Sequence, residues 1–322
     1  MTMTAEQEMR TVYAETLIEL AEQDRSLVAL EADLMKASGM ALFKARFPDR
    51  VLDFGVAEAN MVGAAAGMAA LGKIPFVHTF ACFMSRRAYD QVFISAAYAR
   101  RNVKLIGSDP GVTAAYNGGT HMPFEDLGIM RNIPDMVVFE PSDPVSLSAL
   151  TRENYRMTGC SYMRLHRKPA PVLYASEEEF RLGRGKVLRD GKDITLIATG
   201  VVAVNQVVKA AEKLGKAGIS AAVIDMHTVK PMDEELVLRY AEQTGAILTC
   251  ENHQIYNGLG SAVAEIVAEK APVAFRRWGI RDEFGEVGPL DYLIHRYQLD
   301  SESIVFQATK LLKSKSSAPL GV

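Results

Sequence analysis

The stretch Val51–Gly72, VLDFGVAEANMVGAAAGMAALG, surrounds Glu58 with small and apolar residues: Gly55, Val56 and Ala57 before it, then Ala59, Met61, Val62 and Gly63 onward. From Glu58 the run reads as a helix, and helix packing alone gives no reason to start it with a glutamate. A carboxyl group so poor in polar partners loses hydration, which favours its protonated form, so it can hold or share a proton near neutral pH. Downstream lies HTFACFMSRRAYDQ (78–91), in which Phe80 and Phe83 straddle a turn after a strand. A proton-sharing acid beside aromatic faces is what a flat heteroaromatic cofactor requires.

Working outward, strand-like and helical runs alternate. Met9, Val12, Tyr13, Leu17, Leu20 and Ala21 recur at helical spacing and form one apolar stripe. SLVALEAD (26–33), the helix from Glu58, IPFVHTF (74–80), a helix from Arg87 to Arg100, NVKLIG (102–107) and DMVVFEP (135–141) follow. Strand–helix alternation implies parallel sheets covered by helices. A second unit repeats it from Asp190: DITLIATG, a helix to Lys216, ISAAVIDM, a helix from Asp233, AILTCE, a helix from Gly258, and PVAFRRWG. The expected division is residues 1–172, a linker over 173–189 rich in Pro, Gly and charge, and residues 190–322. The terminal SKSSAPLGV reads as a frayed tail.

At 322 residues, 48% hydrophobic and 23% charged, the composition is that of a soluble globular chain with room for two domains. A net charge of -3 with no basic face argues against nucleic acid or an anionic membrane as partner. No apolar run reaches membrane-spanning length. Cys82, Cys160 and Cys250 are odd in number and scattered, without metal-ligand spacing. That usage fits a reducing compartment, and the acidic, weakly apolar N-terminus is no signal peptide, so the expected location is cytoplasmic. GMAALGKI (67–74) imitates a phosphate-binding loop, yet it ends in Ile and joins a helix to a strand, the reverse of the required order. YNGLGSAVAE (256–265) has Val263 where a dinucleotide fingerprint needs its third glycine.

Four segments together, GVAEANMVGAAAGMA (55–69), TFACFMS (79–85), GGTHMPFEDLGIMRNIPDMVVFEPSD (118–143) and ATGVVAVNQVVKAAEKL (198–214), resemble the C-terminal half of transketolases, in the same order. The resemblance implies a thiamine-diphosphate pyrimidine-binding fold followed by a transketolase C-terminal-like domain, two consecutive α/β domains, each a mostly parallel sheet flanked by helices. It implies that Glu58 hydrogen-bonds N1′ of the cofactor's aminopyrimidine and favours the imino form that activates the thiazolium C2. It places Phe83 stacked on the pyrimidine with Phe80 on the same wall, and Asp33 near the cofactor at a subunit junction. His121 would face the reacting oxygens as a proton carrier, with Asn117 beside it, and Arg167 would grip the anionic end of the substrate. His78 is a further possible pocket residue, whereas His227 and His253 read as packing or interface residues.

Three departures weaken ordinary pentose-phosphate specificity: Asn117 stands where the family has Asp, Ser108 where it has a phosphate-contacting His, and Arg86 where it has another aromatic. No Gly-Asp-Gly triplet, the family's mark of the diphosphate and metal site, occurs in the sequence. The implied arrangement is the C-terminal subunit of a split transketolase. A separate N-terminal subunit would carry that motif and the Mg²⁺ (or Ca²⁺), this chain would pair with itself inside a heterotetramer, and sugar phosphates would be substrates. The competing readings are the beta subunit of a 2-oxo acid dehydrogenase decarboxylase component and a non-catalytic scaffold.

Overall fold

The computed structural model describes residues 4–317, so the last five residues of the expected tail lie outside the described part; Ser301–Ser317 form a helix. Fourteen strands run in chain order: β1 (Thr4–Glu8), β2 (Leu27–Glu31), β3 (Val51–Asp53), β4 (Ile74–Phe80), β5 (Lys104–Ser108), β6 (Val137–Phe139), β7 (Ser161–Leu165), β8 (Pro169–Val172), β9 (Lys186–Arg189), β10 (Ile194–Ala198), β11 (Ala221–Asp225), β12 (Thr228–Lys230), β13 (Ala246–Gln254) and β14 (Ala274–Ile280). Seven build one sheet in the order β12-β6-β7-β5-β4-β2-β3, and five build another in the order β14-β13-β10-β11-β9. Only the edge strands β12 and β9 run antiparallel to their neighbours. β1 and β8 form a separate antiparallel ribbon. The expected α/β class with two mostly parallel, helix-covered sheets is therefore what the chain adopts.

Burial explains why these strands were visible. β2, β5, β10 and β11 are buried at every position, the habit of strands covered by helices on both faces. The first helix, Met9–Gln23, buries Met9, Tyr13, Leu17, Leu20 and Ala21 along the expected stripe. One hydrophobic cluster runs from Leu27, Phe76, Ile106 and Met163 of the first sheet to Ile194, Leu196, Val223 and Leu248 of the second. The two sheets thus share a core.

Three local features differ from the sequence reading. The helix expected from Arg87 to Arg100 is instead a pair of wide, π-type segments, Phe83–Arg87 and Gln91–Tyr98. Such turns are rare and gather at functional sites. The stretch read as a linker is packed rather than free: Leu173, Tyr174 and Phe180 are buried, and its end is strand β9. Finally, β12 leaves the second unit to pair with β6 of the first. No helix among the described residues is long and apolar enough to cross a membrane.

Candidate active site

In an open parallel sheet, ligands bind beyond the carboxyl ends of the strands. Neighbouring β4, β5 and β7 end level with one another, with Phe80 opposite Ser108 and Ser108 opposite Leu165. Residues just past those ends (Phe83, Asp109, Arg167) are therefore brought together although they are far apart in sequence. The helix Glu58–Ala70 begins at the same edge of the sheet, beyond β3. Its positive N-terminal end favours a carboxylate there.

Glu58 is buried, at 1% exposure, but it does not lack polar partners as the sequence suggested. Arg87 Nη1 donates to its Oε2 at 2.8 Å, and Thr79 Oγ1 donates to Oε1 at 3.4 Å. The same guanidinium lies over the Phe83 ring, 4.2 Å from its centroid. Arg87 is half in solvent, so one planar cation bridges the water, an aromatic face and a buried carboxylate. Nothing in the spacing of residues 58 and 87 announces that contact; the π-type turn at Phe83–Arg87 is the device that presents the arginine.

Phe80, Phe83 and His121 form a three-ring wall. The His121 ring stands edge-on to Phe83 at 5.1 Å and to Phe80 at 5.7 Å, and the two phenylalanines are 6.0 Å apart. Thr120 Oγ1 lies 2.9 Å from His121 Nδ1, which fixes the ring's rotation. Arg86 ties the loop down. It donates to the Thr120 carbonyl at 2.8 Å and to the Cys82 carbonyl at 3.3 Å, and it pairs with Glu125 at 3.3 Å. The residue that replaced an expected aromatic is thus a brace between the Phe83 turn and the His121 loop.

Two glycines in this loop are there because another segment presses on them. A Cβ on Gly119 would lie 2.2 Å from the Gly285 carbonyl oxygen, and one on Gly118 would lie 2.7 Å from Val287 Cγ2. Gly118 also has φ +74°, a conformation that side-chain-bearing residues resist. A loop of the second unit, residues 284–288, therefore lies directly against the histidine loop.

Arg167 sits at the far end of the wall, its guanidinium 5.6 Å from the Phe80 ring. Its Nε donates to both oxygens of Asp109, at 2.6 and 2.8 Å, while its two Nη groups have no acceptor among the described residues. Burial pushes the Asp109 carboxyl up and Arg167 pulls it back, leaving a net upward shift. Sequence reasoning stopped one residue short here: Ser108 is buried at the end of β5, and Asp109 is the group that meets the arginine.

The other named residues fall outside this cluster. Asn117 is exposed at the end of the Gly111–Asn117 turn, and no hydrogen bond joins it to His121. Asp33 is exposed with φ +60°; its amide donates to Asp53 Oδ1 at 2.9 Å, and it makes no hydrogen bond with Glu58 or His121. His78 is no pocket residue. It is 1% exposed, with Tyr13 Oη 2.6 Å from Nε2 and the Leu30 carbonyl 3.2 Å from Nδ1, and burial pulls it down to about 4. Along β4 the side chains alternate, so Thr79 turns toward Glu58 while His78 enters the core. His227 and His253 are likewise buried.

Known proteins share this architecture. The family Transketolase, pyrimidine binding domain matches residues 5–171, and Transketolase, C-terminal domain matches residues 183–304. The chain is 50% identical over 308 residues to the 6-deoxy-6-sulfo-D-fructose transketolase subunit SqwH of Clostridium sp. (strain MSTE9), covering 96% of this chain and 95% of that one. It is 41% identical over 310 residues to the putative transketolase C-terminal section of Methanocaldococcus jannaschii, covering 95% and 97%. A solved split gene transketolase, described as an inactive beta4 tetramer, superimposes with a TM-score of 0.88 at 36% identity, covering 97% of this chain and all of that one. With both domain families matched in order and relatives aligned over nearly its full length, the chain belongs to the transketolase family.

Proposed function

We propose that this chain is the C-terminal subunit of a split, thiamine-diphosphate-dependent transketolase that moves a two-carbon ketol unit from a ketose to an aldose. The observation that carries the reading is Arg87. Its guanidinium is a flat N–H donor that stacks on Phe83 and hydrogen-bonds to buried Glu58 at once. Those are the two contacts an aminopyrimidine ring would make, so the residues present fit that part of thiamine diphosphate. When bound, the cofactor supplies the nucleophilic carbon that accepts the ketol unit. Glu58 then holds or shares a proton at the ring nitrogen, and Arg87 swings toward solvent, where it is already half exposed. Phe80 and Phe83 exclude water and orient the ring, while Thr120 holds the His121 imidazole ready to carry protons to and from substrate oxygens. Asp33 at the subunit junction and Asn117 beside the loop are proposed as later contacts, made when the second polypeptide is in place.

That polypeptide would bring the Gly-Asp-Gly motif, the diphosphate ligands and the Mg²⁺. The chain matches relatives named as a transketolase subunit and a C-terminal section nearly end to end, which supports the division. The solved relative described as an inactive beta4 tetramer supports self-association and dependence on a partner. Purified alone, the chain is expected to bind thiamine diphosphate poorly and to turn nothing over, even with Mg²⁺. Adding the partner restores both. Full activity of the chain by itself would refute the proposal. Running the assembled enzyme on ketose donors and on 2-oxo acids separates ketol transfer from the decarboxylase reading, and silence on both would leave the scaffold.

Phe83→Ala removes stacking and buried apolar area together, a loss of about 1–3 kcal/mol in cofactor binding. Titration calorimetry on the assembled complex checks this. An unchanged dissociation constant with a lower melting temperature would make Phe83 an ordinary core residue.

A further inference from the structure

The turn that follows β5 is strained on both sides of a proline. Asp109 has φ +55° and Gly111 φ +54°, with Pro110 between them. A left-handed aspartate of this kind persists only where its surroundings over-determine it. Part of that hold is local. The Asp109 amide donates to the Leu165 carbonyl at 3.2 Å, the Gly111 amide to the Pro123 carbonyl at 3.2 Å, and Thr113 Oγ1 to the Pro110 carbonyl at 2.6 Å. The rest comes from the second unit. Asn252, on β13 and 1% exposed, donates through Nδ2 to the Pro110 carbonyl at 3.0 Å and accepts from the Val112 amide through Oδ1 at 2.9 Å. A Cβ on Gly111 would lie 2.2 Å from that same Oδ1, so the side chain is seated directly against the turn.

Asp109 is also the residue whose carboxylate takes Arg167 Nε through both oxygens. Its backbone sets the direction of its side chain, and a return of φ to the ordinary negative range would swing the carboxylate off the arginine. We propose that Asn252 is a positioning residue of the ketol-transfer site: from the C-terminal unit it holds the Asp109–Val112 turn in its left-handed form, and so keeps Arg167 aimed at the anionic end of the donor. This rests on the ketol-transfer reading above and deepens it. The clamp is itself anchored, because the Asn252 carbonyl accepts from buried Arg164 Nη1 at 3.1 Å. No other residue of the second unit hydrogen-bonds to residues 109–112 among the described residues. Without the Asn252 side chain the Val112 amide loses its acceptor in a buried place, a cost that the turn relieves by moving. Pro110 keeps Thr113 as a donor, so the turn loosens and the loop does not unfold.

The test uses the assembled complex and two ketose donors that differ only at one end, a phosphate ester and its uncharged alcohol. Asn252→Ala is expected to raise KM for the anionic donor about tenfold, with kcat near wild type and KM for the neutral donor changed less than about twofold. Asn252→Asp keeps the acceptor for Val112 but loses the donor to Pro110, and is expected to fall between Asn252→Ala and the wild type. An Arg167→Ala background shows whether the effect runs through the arginine: there Asn252→Ala adds nothing to the ratio of the two KM values. Equal losses on both donors, or a full Asn252→Ala effect without Arg167, would make Asn252 a general stabiliser of the domain contact. Either result overturns the proposal while leaving ketol transfer standing. If Arg167→Ala itself treats both donors alike, the anion contact and the proposal fall together. Absence of transfer from any ketose overturns ketol transfer as well. Should Asn252→Ala fail to fold, Asn252→Asp, alone and combined with Arg167→Ala, carries the same test.

Discussion

Under the proposed function, Glu58→Gln in the assembled complex is expected to slow exchange of the C2 proton of thiamine diphosphate by about 10²–10⁴, with folding and subunit assembly intact. The amide is the same size and can still accept from Arg87 or Thr79, so the packing around residue 58 is kept. It cannot take or share the proton that the ring nitrogen needs. Arg87 loses its ionic partner but already reaches water, so no buried charge is stranded. Proton–deuterium exchange followed by NMR measures the effect directly. Exchange near the wild-type rate would make Glu58 a structural carboxylate held by Arg87, and the assignment of the whole wall would fail with it.

The second large effect concerns stability. Arg164, on β7, is fully buried and is the hub of a charged network. Its Nε and Nη2 donate to Asp126 at 2.8 and 2.6 Å, and its Nη1 donates to Glu140 and to the Asn252 carbonyl, both at 3.1 Å. Tyr162 adds a hydroxyl to Asp126 at 2.6 Å. Burial pushes the Asp126 carboxyl up, but Arg164, with His253 and the Tyr162 hydroxyl, outweighs it and the net shift is downward. Glu140 shows the opposite balance, pushed up by burial to about 7. Arg164→Met leaves Asp126 buried without its cation, a loss of about 3–5 kcal/mol. Urea unfolding checks it; a loss under about 1 kcal/mol would mean that water or a neighbour takes over the arginine's task.

The same network shows why part of the fold was hidden in the sequence. Strands such as Leu27–Glu31 and Ala221–Asp225 announce themselves because they are apolar and covered on both faces. Ser161–Leu165 carries an arginine at its fourth position and is followed by histidine and arginine, and the sequence reading assigns it no strand. It is central in the sheet only because two carboxylates, remote in sequence, neutralise Arg164. β9 and β12 are short and polar, and β12 gains its identity by pairing with a strand about ninety residues earlier. Glu58, Phe80 and Phe83 stood out by residue type and order, whereas His121 joined them through the family resemblance. Arg87 and Asp109 were not, because each acts through a partner that only the fold supplies. The doubled arginine after Phe83 was the one available hint.

The close approach of Gly285 to Gly119 constrains any recombination of this chain with its relatives. Neither backbone tolerates even a methyl group at the point where they meet, and Gly285 in turn abuts Met122, whose Cβ would lie 2.8 Å from an added Cβ. Residues 115–122 and 284–288 thus pack as one unit, although they belong to different halves of the chain. A chimaera spliced between the two domain families keeps its histidine loop seated only if both sides of the splice keep glycine where these backbones meet.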